Sequence, residues 1–118
     1  MSPAALWLEG FGLTIGVEEA VAMPLLRPVC ASRGRRAMAI LIANLTTHPL
    51  VWFFWSRLGW SWMTVTCLAE GWAFGFELVV YRIIFPAAAW RRCAMVSGAA
   101  NVASYVLGLL AVRWGYFR

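Results

Sequence analysis

Two glutamates lie within apolar stretches, and each is followed by an asparagine at almost the same interval: Glu19 by Asn44 after 25 positions, and Glu77 by Asn101 after 24. A hydroxyl stands three residues beyond each asparagine, as Thr47 and Ser104. An ionisable side chain among apolar neighbours is costly and rare. In low dielectric the charged carboxyl is disfavoured, while amide and hydroxyl donors favour it, so such a group can exchange a proton near neutral pH. The chemistry expected of Glu19, Asn44, Thr47, Glu70, Glu77, Asn101 and Ser104 is therefore that of a proton or small-cation site. The same groups also suit a purely structural role, as a buried polar network joining helices at about 1 kcal/mol per hydrogen bond. The small interior that four helices enclose favours the structural role. Glu70 lies deep in the third stretch and is the most costly to leave unpaired. Glu18 must point about 100° away from Glu19 on a helix, towards a partner protein, and Glu9 lies near a solvated end.

His48 is the sole histidine. A lone histidine cannot complete a bis-histidine haem site, and its position before Pro49 suits hydrogen bonding to the carbonyls that a helical proline leaves open. It is thus a ligand or a kink residue, with the kink favoured. Neither a metal site nor a cofactor is expected, since there is no Cys-x-x-Cys and the three cysteines, Cys30, Cys67 and Cys93, are scattered. The odd count and a reducing compartment argue against a structural disulfide. Asp and Lys are both absent, and no nucleophile elbow or phosphate-cradling glycine loop occurs. The chain is therefore expected to be no enzyme.

These residues must be positioned by membrane helices. Hydrophobic residues make up 63% of the 118 and charged ones 13%, with a mean hydropathy of +0.74, far from the balance of a soluble domain. Four apolar stretches, about 6–26, 38–55, 61–84 and 93–112, approach the roughly 20 residues needed to cross hydrocarbon. They fill the chain 1–118 as a single transmembrane domain. Pro24 and Pro28 are expected to close the first span, Gly59 and Pro86 to follow the second and third, and Arg113 to close the fourth. Short connections make neighbouring helices antiparallel.

The chain also repeats. Ala37, Met38, Ala43, Asn44 and Thr47 align without a gap on Ala94, Met95, Ala100, Asn101 and Ser104, each set following an Arg pair. Upstream, Gly16 to Glu19 matches Phe74 to Glu77 with one gap, and an equally good register pairs Gly16 and Glu18 with Gly75 and Glu77. The expected fold is all-α, an integral membrane four-helix bundle built from two parallel-repeat helix pairs about a pseudo-twofold axis. Helical spacing predicts inward stripes of Glu9, Gly12, Gly16 and Glu19 on the first helix and Glu70, Phe74, Glu77 and Tyr81 on the third. The second and fourth present Asn44, Thr47, His48 and Val51, and Ser97, Asn101, Ser104 and Gly108.

All ten basic residues are Arg. Seven flank the first and third loops, while Arg57, Arg113 and Arg118 lie opposite, so the positive-inside rule places loops one and three in the cytoplasm and both termini outside. Most tryptophans then fall at the outer headgroup level as an aromatic belt. The charge of +5 is a topology signal, and nucleic acid is not an expected partner. No basic residue precedes Arg27, so a cleaved signal peptide is not expected.

The segments Ala43-Asn44-Leu45-Thr46-Thr47-His48-Pro49, Glu77-Leu78-Val79-Val80-Tyr81-Arg82 and Ala100-Asn101-Val102-Ala103-Ser104-Tyr105 resemble a pattern in uncharacterised small four-span bacterial membrane proteins. That resemblance implies a bacterial cytoplasmic (inner) membrane and no established activity. Small multidrug transporters are similar in length, span number and a first-helix Glu, but the four span glutamates and the two-plus-two repeat depart from them. The leading expectation is a non-enzymatic accessory or assembly subunit of a larger membrane complex. The alternative is a small proton-coupled or ion-conducting transporter acting as an oligomer. The expected partners are the lipid bilayer and another membrane protein or a second copy of the chain.

Overall fold

The computed structural model describes residues 2–116. It contains four helices and, among the described residues, no strand: α1 (Pro3–Leu26), α2 (Arg33–Phe53), α3 (Trp62–Ile84) and α4 (Trp90–Arg113), with a 3-10 turn at Trp55–Arg57 after α2. Arg118, counted above in the topology, lies outside the described residues. Three helices start at a serine whose hydroxyl accepts from a backbone N–H in the first turn, Ser2 from Ala5, Ser32 from Arg35 and Ser61 from Thr64. Each satisfies one of the donors that a helix start leaves open. Pro24 does not stop α1, which runs on to Leu26, and Pro49 likewise stays inside α2.

Three segments are long and apolar enough to cross a membrane: Arg33–Arg57, Trp62–Ile84 and Trp90–Arg113. Helix α1 has 24 residues but differs in carrying Glu9, Glu18 and Glu19. Each helix packs against its neighbours in the chain, and α1 closes the ring against α4, with no contact across either diagonal. The result is a square antiparallel bundle with principal extents of 40 × 24 × 21 Å. Large apolar side chains such as Met38, Ile83, Val102 and Leu109 face outward. Much of the interior is alanine, including Ala22, Ala39, Ala43, Ala73 and Ala100, which lets the helices approach closely.

The two ends of the bundle differ. At the end carrying the 27–32 and 85–89 loops, Leu26, Ile40, Tyr81, Phe85 and Val96 form a solid core. Arg36, buried there, donates to the Met23 carbonyl at 2.5 Å and the Ala31 carbonyl at 3.4 Å, so its charge serves one open C-terminal carbonyl of α1 and ties the following loop to it. Arg82 donates to the Pro86 carbonyl at 2.6 Å and lies over the Trp90 ring. The opposite end is hollow.

The predicted inward stripe of α1 is not the one observed. Gly12 and Gly16 are exposed, with no atom within 4 Å of where a Cβ would stand, whereas Glu18, Ala22 and Leu26 face the interior. Spacing of i, i+4, i+8 through Glu18 matches the apolar face below it, and that face decides the rotation of the helix. On α3 the inward stripe is Ala69, Ala73, Glu77 and Tyr81. Phe74, placed inside from the sequence, is exposed.

Candidate functional site

At mid-height the four helices place two carboxylates in one hydrogen-bonded centre. Glu77 Oε2 accepts from Asn101 Nδ2 at 2.7 Å and Oε1 from Thr47 Oγ1 at 2.9 Å. Glu18 Oε2 accepts from Asn44 Nδ2 at 2.6 Å and Oε1 from Ser104 Oγ at 3.1 Å. Each carboxylate thus takes its amide from the next helix in the chain and its hydroxyl from the other hairpin. Glu18 and Glu77 are each only 1% exposed.

The asparagines are pinned as donors. Asn44 Nδ2 gives its other hydrogen to the Ile40 carbonyl at 3.0 Å, and Asn101 Nδ2 does the same to the Ser97 carbonyl at 2.9 Å. A flipped amide would set oxygen against oxygen at both contacts, so the network fixes its orientation. The hydroxyls are not pinned. Thr47 Oγ1 also lies 3.2 Å from the Ala43 carbonyl, and Ser104 Oγ 3.1 Å from the Asn101 carbonyl. A hydroxyl has one hydrogen and two lone pairs. It can donate to a carboxylate, or accept from a protonated carboxyl while turning its own hydrogen to the backbone. The centre therefore stays hydrogen-bonded in either protonation state.

Glu18, and not Glu19, is the partner of Asn44. Glu19 is half-buried and takes no part in these bonds, because one residue along a helix rotates the side chain by about 100°. The signal that finds Glu18 is in the chain: Gly12-x-x-x-Gly16-x-Glu18 recurs as Gly71-x-x-x-Gly75-x-Glu77. The two carboxylates that the structure buries are thus Glu18 and Glu77. Glu18 does not point outward to a partner, being 1% exposed.

Above the centre lies a cavity of about 300 Å³, opening towards the hollow end. Its floor is Glu18, Asn44, Thr47, Glu77, Asn101 and Ser104, and its walls include Glu70, His48, Trp52 and Tyr105. Among the described residues no arginine lines it. Glu70, half-buried, also borders a groove between α3 and α4. The expectation that four helices enclose little room is corrected by this volume, which Gly10, Ala73 and Gly108 help to leave open.

His48 stands on the wall. Trp7 Nε1 donates to its Nδ1 at 3.1 Å, and Thr14 Oγ1 lies 3.4 Å from its Nε2. An indole N–H can only donate, so Nδ1 is an acceptor and the neutral ring carries its hydrogen on Nε2. Both nitrogens are occupied by α1 side chains, which corrects the expected bonding to carbonyls around Pro49 and leaves no free nitrogen for a ligand. Phe11 and Trp52 flank the ring at centroid distances of 5.2 and 6.0 Å. Gly10 makes that packing possible, since a Cβ there would stand 2.6 Å from Trp52 Cζ2.

Set against protein-family models, curated proteins and solved structures, the chain has no match in any of the three.

Proposed function

We propose that the protein is an integral membrane four-helix bundle, built from two repeated helix pairs, that takes a proton or small cation from one side of the membrane onto its paired carboxylates. In this reading α1 is the fourth span. Its Glu18 is sequestered from lipid by Asn44 and Ser104, which removes the main cost of carrying it there. The arginine-rich loops face the cytoplasm, and the cavity opens to the other side. The resemblance noted for the Asn44, Glu77 and Asn101 segments makes a bacterial inner membrane the natural setting. The observation that carries the reading is the cavity: it ends on two carboxylates, is walled by a third, and among the described residues is lined by no arginine. A bundle held by a polar network for its own sake would have no need of an open approach to it. The free rotation of Thr47 and Ser104 adds that the centre tolerates both loaded and unloaded states.

Reconstitution into liposomes tests this. The wild type should dissipate an imposed proton or sodium gradient, and Glu18→Gln combined with Glu77→Gln should reduce the rate at least tenfold, whereas Glu19→Gln should not. A double variant as active as the wild type would sink the proposal.

One observation favours a second reading, an accessory subunit of a larger membrane complex. A groove between α1 and α4, lined by Gly12, Gly16, Ala20, Ala103 and Leu107, has the small-residue spacing with which membrane helices pack. Co-purification with a stoichiometric larger membrane protein, together with no flux from the isolated chain, would decide for it. A homo-oligomer with flux would decide for transport.

A further inference from the structure

Below the paired carboxylates the core around Leu26, Ile40 and Tyr81 seals the bundle, but the cavity above them has a second neighbour at its side. Glu70, Asn101 and Tyr105 line both the cavity and the groove between α3 and α4, so these three side chains are the partition between the two spaces. The groove has a volume of about 490 Å³. It runs from Met63 near the hollow end to Phe74, about 16 Å along α3, and closes where Phe74 lies against Gly98. Met63, Phe74 and Val102 along it are exposed apolar side chains, which face lipid when the bundle spans a membrane. The partition itself offers acceptors. Among the described residues the Glu70 carboxylate has no hydrogen-bond or ion-pair partner, and neither has the Tyr105 hydroxyl. Asn101 gives its Nδ2 hydrogens to Glu77 and Ser97, so only its oxygen is left for a ligand.

We propose that this partition binds a single-chain primary alkylammonium ion, with its ammonium group held at Glu70, Asn101 and Tyr105 and its hydrocarbon chain lying in the groove between α3 and α4. A primary ammonium has three N–H donors and no acceptor, which matches the three acceptor groups of the partition. Its charge answers that of Glu70, a carboxylate in an apolar helix that is costly to leave without a counter-charge; among the described residues no arginine lines either space. In this arrangement the head stays in the cavity, which opens at the hollow end, and the chain leaves water for the apolar groove. The same absence of arginine selects among amphiphiles. A fatty acid would set a second anion against Glu70, and the ammonium of phosphatidylethanolamine brings a phosphate with it, close to Glu70, Glu18 and Glu77 with no basic side chain to receive it. A single-chain amine carries no anion. The inference goes beyond ion uptake onto Glu18 and Glu77, and shares with that reading only the membrane setting.

The test uses the full chain in phosphatidylcholine nanodiscs, with tritiated octylammonium at neutral pH as the probe and empty nanodiscs as the blank. Wild type should add a saturable component of one site per chain. Glu70→Gln, which keeps the shape and removes the charge, should weaken it at least tenfold. Gly71→Leu should do the same, since it builds a side chain into the groove from a position with nothing within 4 Å of its Cβ, whereas Gly12→Leu, on the groove between α1 and α4, should leave binding unchanged. Unlabelled ethylammonium, the head without the chain, should compete at least tenfold more weakly than octylammonium, and octanol should not compete. No saturable component, undiminished binding in Glu70→Gln and in Gly71→Leu, or octanol competing as well as octylammonium would each overturn the site. Displacement of octylammonium by phosphatidylethanolamine added to the discs would give the site to a lipid headgroup and overturn the single-chain ligand. The Glu18→Gln and Glu77→Gln double variant should keep octylammonium binding while it loses flux, so the two proposals can fail separately: binding without flux removes only ion uptake, and flux without binding removes only this site.

Discussion

The exchange of hydroxyls between hairpins makes a quantitative claim about which glutamate faces inward. Ser104→Ala removes the 3.1 Å bond to Glu18, and hydrogen bonds between membrane helices are worth about 0.6 kcal/mol on average and up to about 1.7 kcal/mol. Ser104→Ala should therefore cost about 1 kcal/mol. Glu18→Met removes the acceptor itself and strands one hydrogen of Asn44 Nδ2, at about 1–3 kcal/mol, while the Ser104 hydroxyl turns to the Asn101 carbonyl. In the Glu18→Met background the serine has nothing left to lose, so Ser104→Ala should be nearly silent there, giving a coupling of about 1 kcal/mol. With Glu19→Met the two effects should simply add, within about 0.3–0.5 kcal/mol. Equilibrium unfolding in mixed SDS and mild-detergent micelles, followed by far-UV circular dichroism, reads all the corners of both cycles. The pair Thr47→Val and Glu77→Met should behave as Ser104 and Glu18 do. Coupling of Ser104 to Glu19 in place of Glu18 would refute the orientation of α1 and with it the two-carboxylate centre.

Gly10→Ala would set a methyl 2.6 Å from Trp52 Cζ2 and should destabilise by about 1–3 kcal/mol as an overpacked contact. Gly12→Ala, with nothing within 4 Å, should instead stabilise by about 0.4–1 kcal/mol, and thermal melts of the two variants should differ in sign. Trp7→Phe removes the donor to His48 Nδ1 and should cost about 1 kcal/mol, a loss that vanishes in a His48→Phe background. Cys93, fully buried, should resist maleimide until the protein is denatured, whereas the partly exposed Cys30 should react with a membrane-impermeant maleimide only from the cytoplasmic face. Labelling of Cys30 from the outer face would reverse the proposed topology.

Much of the centre is legible in the chain, because it depends on residues that are rare in apolar helices. Asn44, Thr47, Asn101 and Ser104 stand out by type, and the gapless match of their segments places them at equivalent positions. Glu77 shares its stretch only with Glu70, seven residues away, and has no carboxylate beside it to compete for its place. Glu18 and Glu19 are adjacent, and composition cannot choose between them. Spacing favours Glu19 because Glu9, Gly12, Gly16 and Glu19 form a tidy helical stripe, and small residues suggest close packing. The helix instead turns towards Ala22 and Leu26, whose burial outweighs the preference of two glycines. The surroundings of His48 are hidden from the sequence for a related reason. Its partners Trp7 and Thr14 lie 41 and 34 residues away, and local reasoning about Pro49 sees only neighbours in sequence.

The sequence by itself determined four helices, their antiparallel order and the echo of amide and hydroxyl on the second and fourth. Apolar length, short loops and side-chain spacing are local properties, and they suffice for that. Only the tertiary structure decided that Glu18 turns inward, that each carboxylate borrows its hydroxyl from the opposite hairpin, and that one end is hollow while Tyr81 lies in the seal of the other. Those features depend on the rotation of each helix about its own axis and on what volume its facing neighbours leave, which are set jointly by all four helices and written in no single one.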